Sequence, residues 1–177
     1  NIKVPEGHYL DKNMKSTFVP NRNAIFSSII YAYALSIYKR TSEPVVLSLG
    51  VHSGDHLIYP DCRPDFYKQI MESFKIGNWD SEHIDIYLPY INIDKSDVIN
   101  DGIQSCKNLG IDYKVIYKNT LTTYLPDNNG YSNGKTGSDI ERILAFNKLG
   151  IKDPGLYLKP WKELLKNALE SEKDIQG

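Results

Sequence analysis

The sequence has little cysteine and no strong charge of either sign. Only two of its 177 residues are cysteines, Cys62 and Cys106, which excludes a small secreted domain held by disulfides. Its 21 basic and 22 acidic residues give a net charge near -1, so no concentrated basic face for nucleic acid is expected. No run approaches the roughly 18 apolar residues of a membrane span. We therefore expect a cytoplasmic protein with a small-molecule or protein partner, and no direct contact with nucleic acid or membrane.

The composition is sufficient for one hydrophobic core. With 41% hydrophobic and 24% charged residues, the chain fits a soluble α/β domain. It starts at Asn1 without an initiator methionine, and residues 1–6 form neither a signal sequence nor a helix start. We therefore expect it to be part of a longer protein.

Helical and strand-like apolar patterns alternate along the chain. Strands are predicted at 44–50, buried on both faces, at 83–88 and at 113–117. Helices are predicted after Asn21, from Pro64 to about Ile76, and from a cap at Asp94 to Gly110. The inward positions expected in the first two helices are Ile25, Phe26, Ile29, Ile30, Tyr33 and Ile37, then Phe66, Ile70, Met71 and Phe74. This alternation favours helices on both sides of a mostly parallel sheet.

The segment from Ile58 to Pro64 combines several chemically useful side chains just after the first predicted strand, with 51–57 between them. Tyr59 offers a ring for stacking, Asp61 accepts hydrogen bonds, and Arg63 offers a bidentate fork for a carboxylate or phosphate. Such a turn is suited to a planar polar ligand.

This segment, with 50–56 and 17–23, resembles the 7-cyano-7-deazaguanine synthases of the queuosine pathway, from about Val4 to about Pro154. The resemblance implies a three-layer α/β sandwich of the nucleotide alpha hydrolase-like class, to which the PP-loop ATP pyrophosphatases belong. It also implies a ligase that uses ATP and Mg²⁺. That ligase adenylates the carboxylate of 7-carboxy-7-deazaguanine, forms the amide with ammonia, and activates the amide for dehydration to the nitrile.

Family members hold the ATP pyrophosphate with an S-G-G-x-D-S loop, which this sequence does not contain. The N-terminal part of the fold is therefore missing from the sequence, and we expect the loop in an upstream segment that is cleaved, separately encoded or lost. A homodimer is a family expectation.

The resemblance assigns site roles to positions that match the family. The catalytic residues implied are Asp55, Asp61 and Arg63. The substrate-binding candidates are Arg22, Asn23, His52, Tyr59, Pro60, Cys62, Lys95 and Arg142, of which His52 is included because it follows the strand end and Cys62 for its chemistry.

Several of these residues have a plainer interpretation. Arg22 and Asn23 could be a solvated arginine and a helix cap, and Asp55 could only form a turn. Cys62 could be a nucleophile if Arg63 lowered its pKa, but an inert buried thiol is the commoner state.

The basic candidates also have alternatives. His52 and His56 have the spacing of a helical metal pair, but Gly54 between them disfavours a helix, so His52 is expected to line the pocket instead. Lys95 could be solvated. Arg142 could bind a carboxylate or phosphate, or pair on the surface with Glu141 and Asp139.

Residues 119–138 form a long predicted loop rich in asparagine and glycine. Family members carry four zinc-binding cysteines here, and the matching positions are Thr123, Asn133, Thr136 and Asp139. Structural zinc sites are built almost always from thiolates and imidazoles, so we predict that zinc is absent.

The predicted organisation is a synthase-like portion, 1–155, and a helical extension, 156–177. Trp161, Leu164, Leu165 and Ala168 share one face of the last helix, which is expected to pack onto the domain or onto a second subunit. An alternative function is a divergent, zinc-free subunit or scaffold in phage DNA modification or antiviral defence, without free-base synthesis.

Overall fold

The computed structural model describes residues 4–176. These residues form two compact units: one spans Phe18–Asp94, and the other combines the described residues up to Thr17 with those from Lys95 onward. Neither boundary between these units falls at 155/156, and the domain boundary predicted there stays a prediction. No helix within 4–176 combines the length and apolarity needed to cross a membrane.

The unit from Phe18 to Asp94 is a small α/β arrangement with a parallel sheet. Its elements are α1 (Arg22–Thr41), β1 (Val45–Ser48), α2 (Pro64–Gly77) and β2 (Ile84–Tyr87). The two strands pair in parallel, with Val45 opposite Ile84. Both strands and both helices lie where the sequence predicts them, and the predicted α/β class is confirmed.

The core of this unit lies on one face of the sheet. Val45, Leu47, Ile84 and Ile86 alternate onto that face and pack against α1 and α2. The opposite face is exposed, including Val46 and Tyr87. The prediction that the first strand is buried on both faces is therefore wrong, because only one face of the sheet is covered within 4–176.

Helix α1 buries a different side from the one predicted. Four of the predicted core residues are more than half exposed: Ile25, Phe26, Ile29 and Tyr33. Ile30 is also exposed. The buried side consists of Ser27, Tyr31, Ala34 and Leu35. The helix is apolar around most of its circumference, so periodicity could not identify its core side. In α2 the predicted Met71 is buried, with Ile70 and Phe74 packed against the core.

Within the described residues, the other unit contains a 3-10 helix, Lys12–Thr17, and four α-helices: α3 (Lys95–Asn108), α4 (Tyr113–Lys118), α5 (Gly137–Lys148) and α6 (Trp161–Gln176). The strand predicted at 113–117 is wrong, because these residues form α4. The Asp112 carboxylate accepts a hydrogen bond from the Lys114 amide at 2.9 Å, which caps the helix start.

Helix α6 packs against α5 with the predicted face. Leu164 and Ala168 are buried with Ile140 and Ile143, and Trp161 packs at the edge of this cluster. The C-terminal helix thus packs onto the same chain, which is one of the two packing partners expected from the sequence.

Candidate active site

The segment after β1 folds as two short turns that place its polar residues at the carboxyl end of the sheet. The His52 side chain caps the first 3-10 turn, Ser53–Leu57, by accepting from the Gly54 amide at 3.1 Å. Pro60 begins the second turn, Pro60–Cys62, and Pro64 begins α2. Ligands of parallel α/β sheets bind outside the carboxyl ends of the strands, so this segment lies where a ligand is expected.

Asn23 connects the first turn of α1 to this segment. Its backbone amide donates to Asp61 Oδ2 at 3.2 Å, and its side-chain amide donates to the Asp61 carbonyl at 3.1 Å and to Cys62 Sγ at 3.3 Å. Asn23 is therefore not a helix cap, and Asn21, at the cap position, makes no side-chain cap bond. The structure brings Asn23, Asp61 and Cys62 together, as a common site requires.

Asp61 has one carboxylate oxygen with no partner. The residue is only 6% exposed, and its Oδ1 is buried without a hydrogen bond among the described residues. An unsatisfied buried acceptor costs about 1–3 kcal/mol, and more when it is charged. Such a group fits a site whose ligand supplies the missing donor.

Arg22 and Arg63 make different contacts with the segment that contains Asp61. The Arg22 guanidinium carbon lies 5.7 Å from the centroid of the Tyr59 ring, within cation–π range. The Arg63 Nε donates to the His56 carbonyl at 2.8 Å, which fixes the side chain through one of its five N–H groups. The terminal nitrogens of this exposed arginine remain suited to an anion.

His52 and Asp55 face one another. His52 Nε2 lies 3.5 Å from Asp55 Oδ2, while His52 Nδ1 accepts the Gly54 amide. An accepting Nδ1 requires the neutral ring to carry its proton on Nε2, on the side of Asp55. Asp55 also supplies its carbonyl to the amides of Ile58 and Tyr59, so this pair shapes the turn.

Cys62 is a neutral thiol. Burial, together with the charges of Asp55 and Asp61, raises its pKa to about 12. The nucleophilic interpretation needs a lowered pKa, and Arg63 does not provide one.

Lys95 and Arg142 belong to the unit outside Phe18–Asp94. Lys95 forms an ion pair with Glu141, and neither side chain is more than 19% exposed. Lys95 is therefore not simply solvated.

The Arg142 guanidinium is fully engaged within its own unit. It pairs with Asp153 through two bonds of 2.7 and 2.9 Å, and it donates to the Tyr117 carbonyl and to the Thr120 carbonyl and hydroxyl. These bonds occupy all five N–H groups. The contacts favour a structural role for Arg142 over both the substrate contact and the surface pair suggested by the sequence.

The loop before α5 converges on the carboxylate of Asp139, which is 1% exposed. Its oxygens accept from the hydroxyls of Thr123 at 3.0 Å, Ser132 at 2.7 Å and Thr136 at 2.6 Å, and from the Thr136 amide at 3.2 Å. We call these four residues the Asp139 cluster. Thr123, Thr136 and Asp139 are positions matched to family cysteines, and Ser132 is not. Asn133, the remaining matched position, lies outside the cluster and accepts from the Lys135 amide at 2.9 Å.

Thr136 and Asp139 also form a capping box at the start of α5. The Thr-x-x-Asp spacing before an apolar helix is a known signal of this motif, with aspartate in place of the commoner glutamate. This spacing is visible in the sequence and is sufficient to predict the start of α5.

The Asp139 cluster does not suit a structural zinc ion. It offers one carboxylate and three hydroxyls, and both carboxylate oxygens already accept hydrogen bonds. Zinc needs four strong donors, and alcohols are not among its usual ligands.

The unit is a parallel α/β arrangement with a buried, unsatisfied carboxylate beyond its strand ends, the place where α/β proteins that bind small molecules hold them. Residues 1–150 match the family described as Queuosine biosynthesis protein QueC. The chain belongs to this family, whose fold is of the nucleotide alpha hydrolase-like class.

Similar proteins include the 7-cyano-7-deazaguanine synthase 1 of Colwellia psychrerythraea, 44% identical over 88% of this chain and 64% of the relative. The 7-cyano-7-deazaguanine synthase of Pseudoalteromonas translucida is 42% identical over the same shares. That of Caldicellulosiruptor saccharolyticus is 38% identical over 87% of the chain and 61% of the relative. The chain thus spans less than two thirds of the length of these curated relatives. No solved structure matches it.

Proposed function

We propose that this chain provides the 7-deazaguanine-binding part of a 7-cyano-7-deazaguanine synthase. Two observations support the proposal: family membership, and the buried Asp61 Oδ1 that has no donor within the described residues. The guanine-like edge of a 7-deazaguanine presents a ring N–H next to an amino group. Such paired donors match a carboxylate acceptor.

In the proposed complex, Asp61 orients the base through its free oxygen while its other oxygen stays with the Asn23 amide. Tyr59 stacks on the planar ring system, with Arg22 against the tyrosine. Arg63 binds the carboxylate at the 7-position through its terminal nitrogens, because a guanidinium fork matches a carboxylate geometrically. Asp55, paired with His52, holds the turn, and Cys62 adds a neutral contact.

ATP with Mg²⁺ would activate the substrate carboxylate by adenylation. A carboxylate oxygen is a poor leaving group, whereas AMP is a good one, which allows ammonia to form the amide. The sequence contains no S-G-G-x-D-S loop for the pyrophosphate, so we assign ATP to no residue of this chain. Both cysteines are free buried thiols, which is consistent with a reducing cytoplasmic setting.

We also propose that the Asp139 cluster holds the loop before α5 in place without a metal ion. By the family resemblance, a zinc ion bound by four thiolates would have this role. Hydroxyl-to-carboxylate bonds connect Thr123 and Ser132, in the loop, to Asp139 on α5. The loop is thereby tied to the helix by hydrogen bonds.

Calorimetric titration with 7-carboxy-7-deazaguanine tests the binding proposal. In Asp61→Asn the amide oxygen stays with the Asn23 amide, and its NH₂ then faces the donors of the ligand. We expect affinity to fall at least about tenfold, since a hydrogen bond to a charged group contributes about 1.5–3 kcal/mol. Asp65→Asn, an exposed aspartate in the first turn of α2, is the matched control and should bind normally.

No heat with the wild-type chain, or equal affinity in Asp61→Asn, would refute the proposed site. The alternative of a scaffold in phage DNA modification or antiviral defence, without free-base synthesis, has no support in the comparisons.

A further inference from the structure

His56 has a buried ring nitrogen that lacks a hydrogen-bond partner. The residue lies in the 3-10 turn Ser53–Leu57, and its Nε2 makes no hydrogen bond to any of the described residues. Asp61 Oδ1, in the next turn, is in the same state. The other such side-chain atoms within 4–176 are Ser27 Oγ and Tyr31 Oη, on the buried side of α1. Buried polar groups are normally paired, so two unpaired atoms in one short segment need a common explanation.

The backbone places His56 beside the residues that anchor the ligand in the proposed complex. Arg63 Nε donates to the His56 carbonyl at 2.8 Å, so the His56 side chain begins next to the guanidinium that binds the 7-carboxylate. The turn that carries His56 also contacts the turn Pro60–Cys62, which carries Asp61. His56 therefore adjoins both Arg63 and Asp61, although the sequence offered no ligand role for it beyond an improbable metal pair.

The ligand has one polar group on the same edge for which no protein partner has been assigned. Asp61 accepts from the ring N–H and the 2-amino group, and Arg63 binds the 7-carboxylate. The 6-oxo group lies between these two parts of the ring system, and a carbonyl oxygen needs a donor. A neutral imidazole with its proton on Nε2 is such a donor. The unpaired nitrogen of His56 and the unpaired oxygen of the ligand are thus complementary.

We propose that His56 is a specificity-determining residue whose Nε2–H donates a hydrogen bond to the 6-oxo group of the 7-deazaguanine. The inference rests on the proposed function and extends it to the part of the base that Asp61 and Arg63 do not contact. Asp61 and His56 together then recognise a guanine-like edge, one as the acceptor and the other as the donor. A 6-amino base would present a donor to the Nε2–H, so the same contact disfavours an adenine-like ligand.

Calorimetry with two ligands and two variants tests the contact. His56→Phe keeps a ring but has no donor, whereas His56→Gln keeps an amide N–H at the end of its side chain. We expect His56→Phe to bind 7-carboxy-7-deazaguanine about fivefold or more weakly, and His56→Gln to keep most of the affinity. The 6-thio analogue keeps the ring N–H and the 2-amino group but offers sulfur, a weaker acceptor. The unchanged chain should bind this analogue several-fold more weakly than the parent, and His56→Phe should bind both alike.

Stability without ligand separates a ligand contact from a structural role. A buried unpaired polar atom destabilises the fold, so His56→Phe should be at least as stable as the unchanged chain in urea denaturation. His83→Phe is the matched control. The His83 ring stacks on Tyr38 at 4.2 Å directly before β2, at the end of the sheet opposite the ligand site. This variant keeps the stacked ring and should bind both ligands as the unchanged chain does.

Three results would overturn the role of His56 alone: equal affinity of His56→Phe and the unchanged chain for the parent ligand, equal discrimination against the 6-thio analogue by both proteins, or an affinity loss that accompanies an equal loss of stability. If Asp61→Asn still binds weakly in these cases, the proposed function stands. An unchanged chain that binds neither ligand would refute the proposed function and the role of His56 together.

Discussion

At the residue scale, the state of Cys62 separates two interpretations of the same motif. A cysteine between an aspartate and an arginine can be an activated nucleophile or an inert thiol, and the sequence left both possible. Burial raises the pKa of Cys62 to about 12, with the Asp55 and Asp61 carboxylates acting in the same direction. The pKa depends on neighbours that only the fold brings together.

We therefore expect Cys62 to resist alkylation. At pH 8 a thiol of pKa about 12 contains roughly a thousandfold less thiolate than one of pKa about 9, and thiolate is the reactive form. Iodoacetamide labelling followed by mass spectrometry of digested protein measures the rate, with urea-unfolded protein as the reference. Rapid labelling of Cys62 in the folded chain would contradict the assignment of a neutral thiol.

His8 provides a pH dependence at the same scale. Burial lowers its pKa from 6.5, against the opposing charges of Glu172, Glu141 and Asp11. The unfolded chain then binds a proton at a higher pH than the folded chain does, so stability falls as the pH drops below about 6.5 towards the folded pKa.

His8→Asn should reduce this loss. The asparagine Oδ1 can still accept from the Leu10 amide, as His8 Nδ1 does at 3.2 Å, but it does not titrate. Urea denaturation at pH 7.5 and at pH 5.5 measures the difference in unfolding free energy for both proteins. An equal drop in His8→Asn and the unchanged chain would contradict the role of His8.

At the scale of elements, local sequence signals predicted where helices and strands lie. They predicted less well which side of each element is buried. Pro64 and Asp94 correctly marked the starts of α2 and α3, because capping and proline effects act within one turn. The β-like pattern at 113–117 failed because the Asp112 cap favoured a helix, and because the described residues outside Phe18–Asp94 contain no strand for it to pair with. The burial of α1 failed for another reason: two of its sides are apolar, and only the fold selects one.

The Asp139 cluster should stabilise its unit strongly. Asp139→Ala leaves the hydroxyls of Thr123, Ser132 and Thr136 without their acceptor and removes half of the capping box. We expect a loss of about 2–4 kcal/mol in unfolding free energy. Urea denaturation followed by circular dichroism measures it, with Asp174→Ala on the exposed side of α6 as the control.

A chelator provides the complementary test of the same cluster. If hydrogen bonds alone tie the loop to α5, EDTA leaves the unfolding midpoint unchanged and the purified chain contains no stoichiometric zinc. A midpoint that falls with EDTA, or one zinc per chain by elemental mass spectrometry, would contradict the metal-free proposal.

At the scale of the whole molecule, the sequence motifs identified the family, and the fold explains the geometry of the segments that carry the resemblance. The residues of 17–23 and 50–64 are far apart along the chain, and Asn23 connects them through Asp61 and Cys62. The motif predicted that these residues belong together but could not predict which oxygen of Asp61 stays unpaired. That detail arises because Asn23 reaches only Oδ2.

The motif could not predict the contacts of every residue that matches the family. Lys95 and Arg142 match family positions, yet within their own unit they form ion pairs with Glu141 and Asp153. Both pairs join residues at least 11 positions apart along the chain, so neither was visible as a local pattern.

The central claim, that Asp61 Oδ1 accepts from the guanine-like edge, is tested most directly by removing the donor from the ligand. Calorimetry compares 7-carboxy-7-deazaguanine with its analogue lacking the 2-amino group, against the unchanged chain and Asp61→Asn. We expect the analogue to bind the unchanged chain at least about tenfold more weakly, and Asp61→Asn to bind the analogue at least as well as the parent ligand, because its NH₂ no longer faces the amino donor. An equal loss of affinity in both proteins would show that Asp61 does not contact the amino group, and would contradict the account.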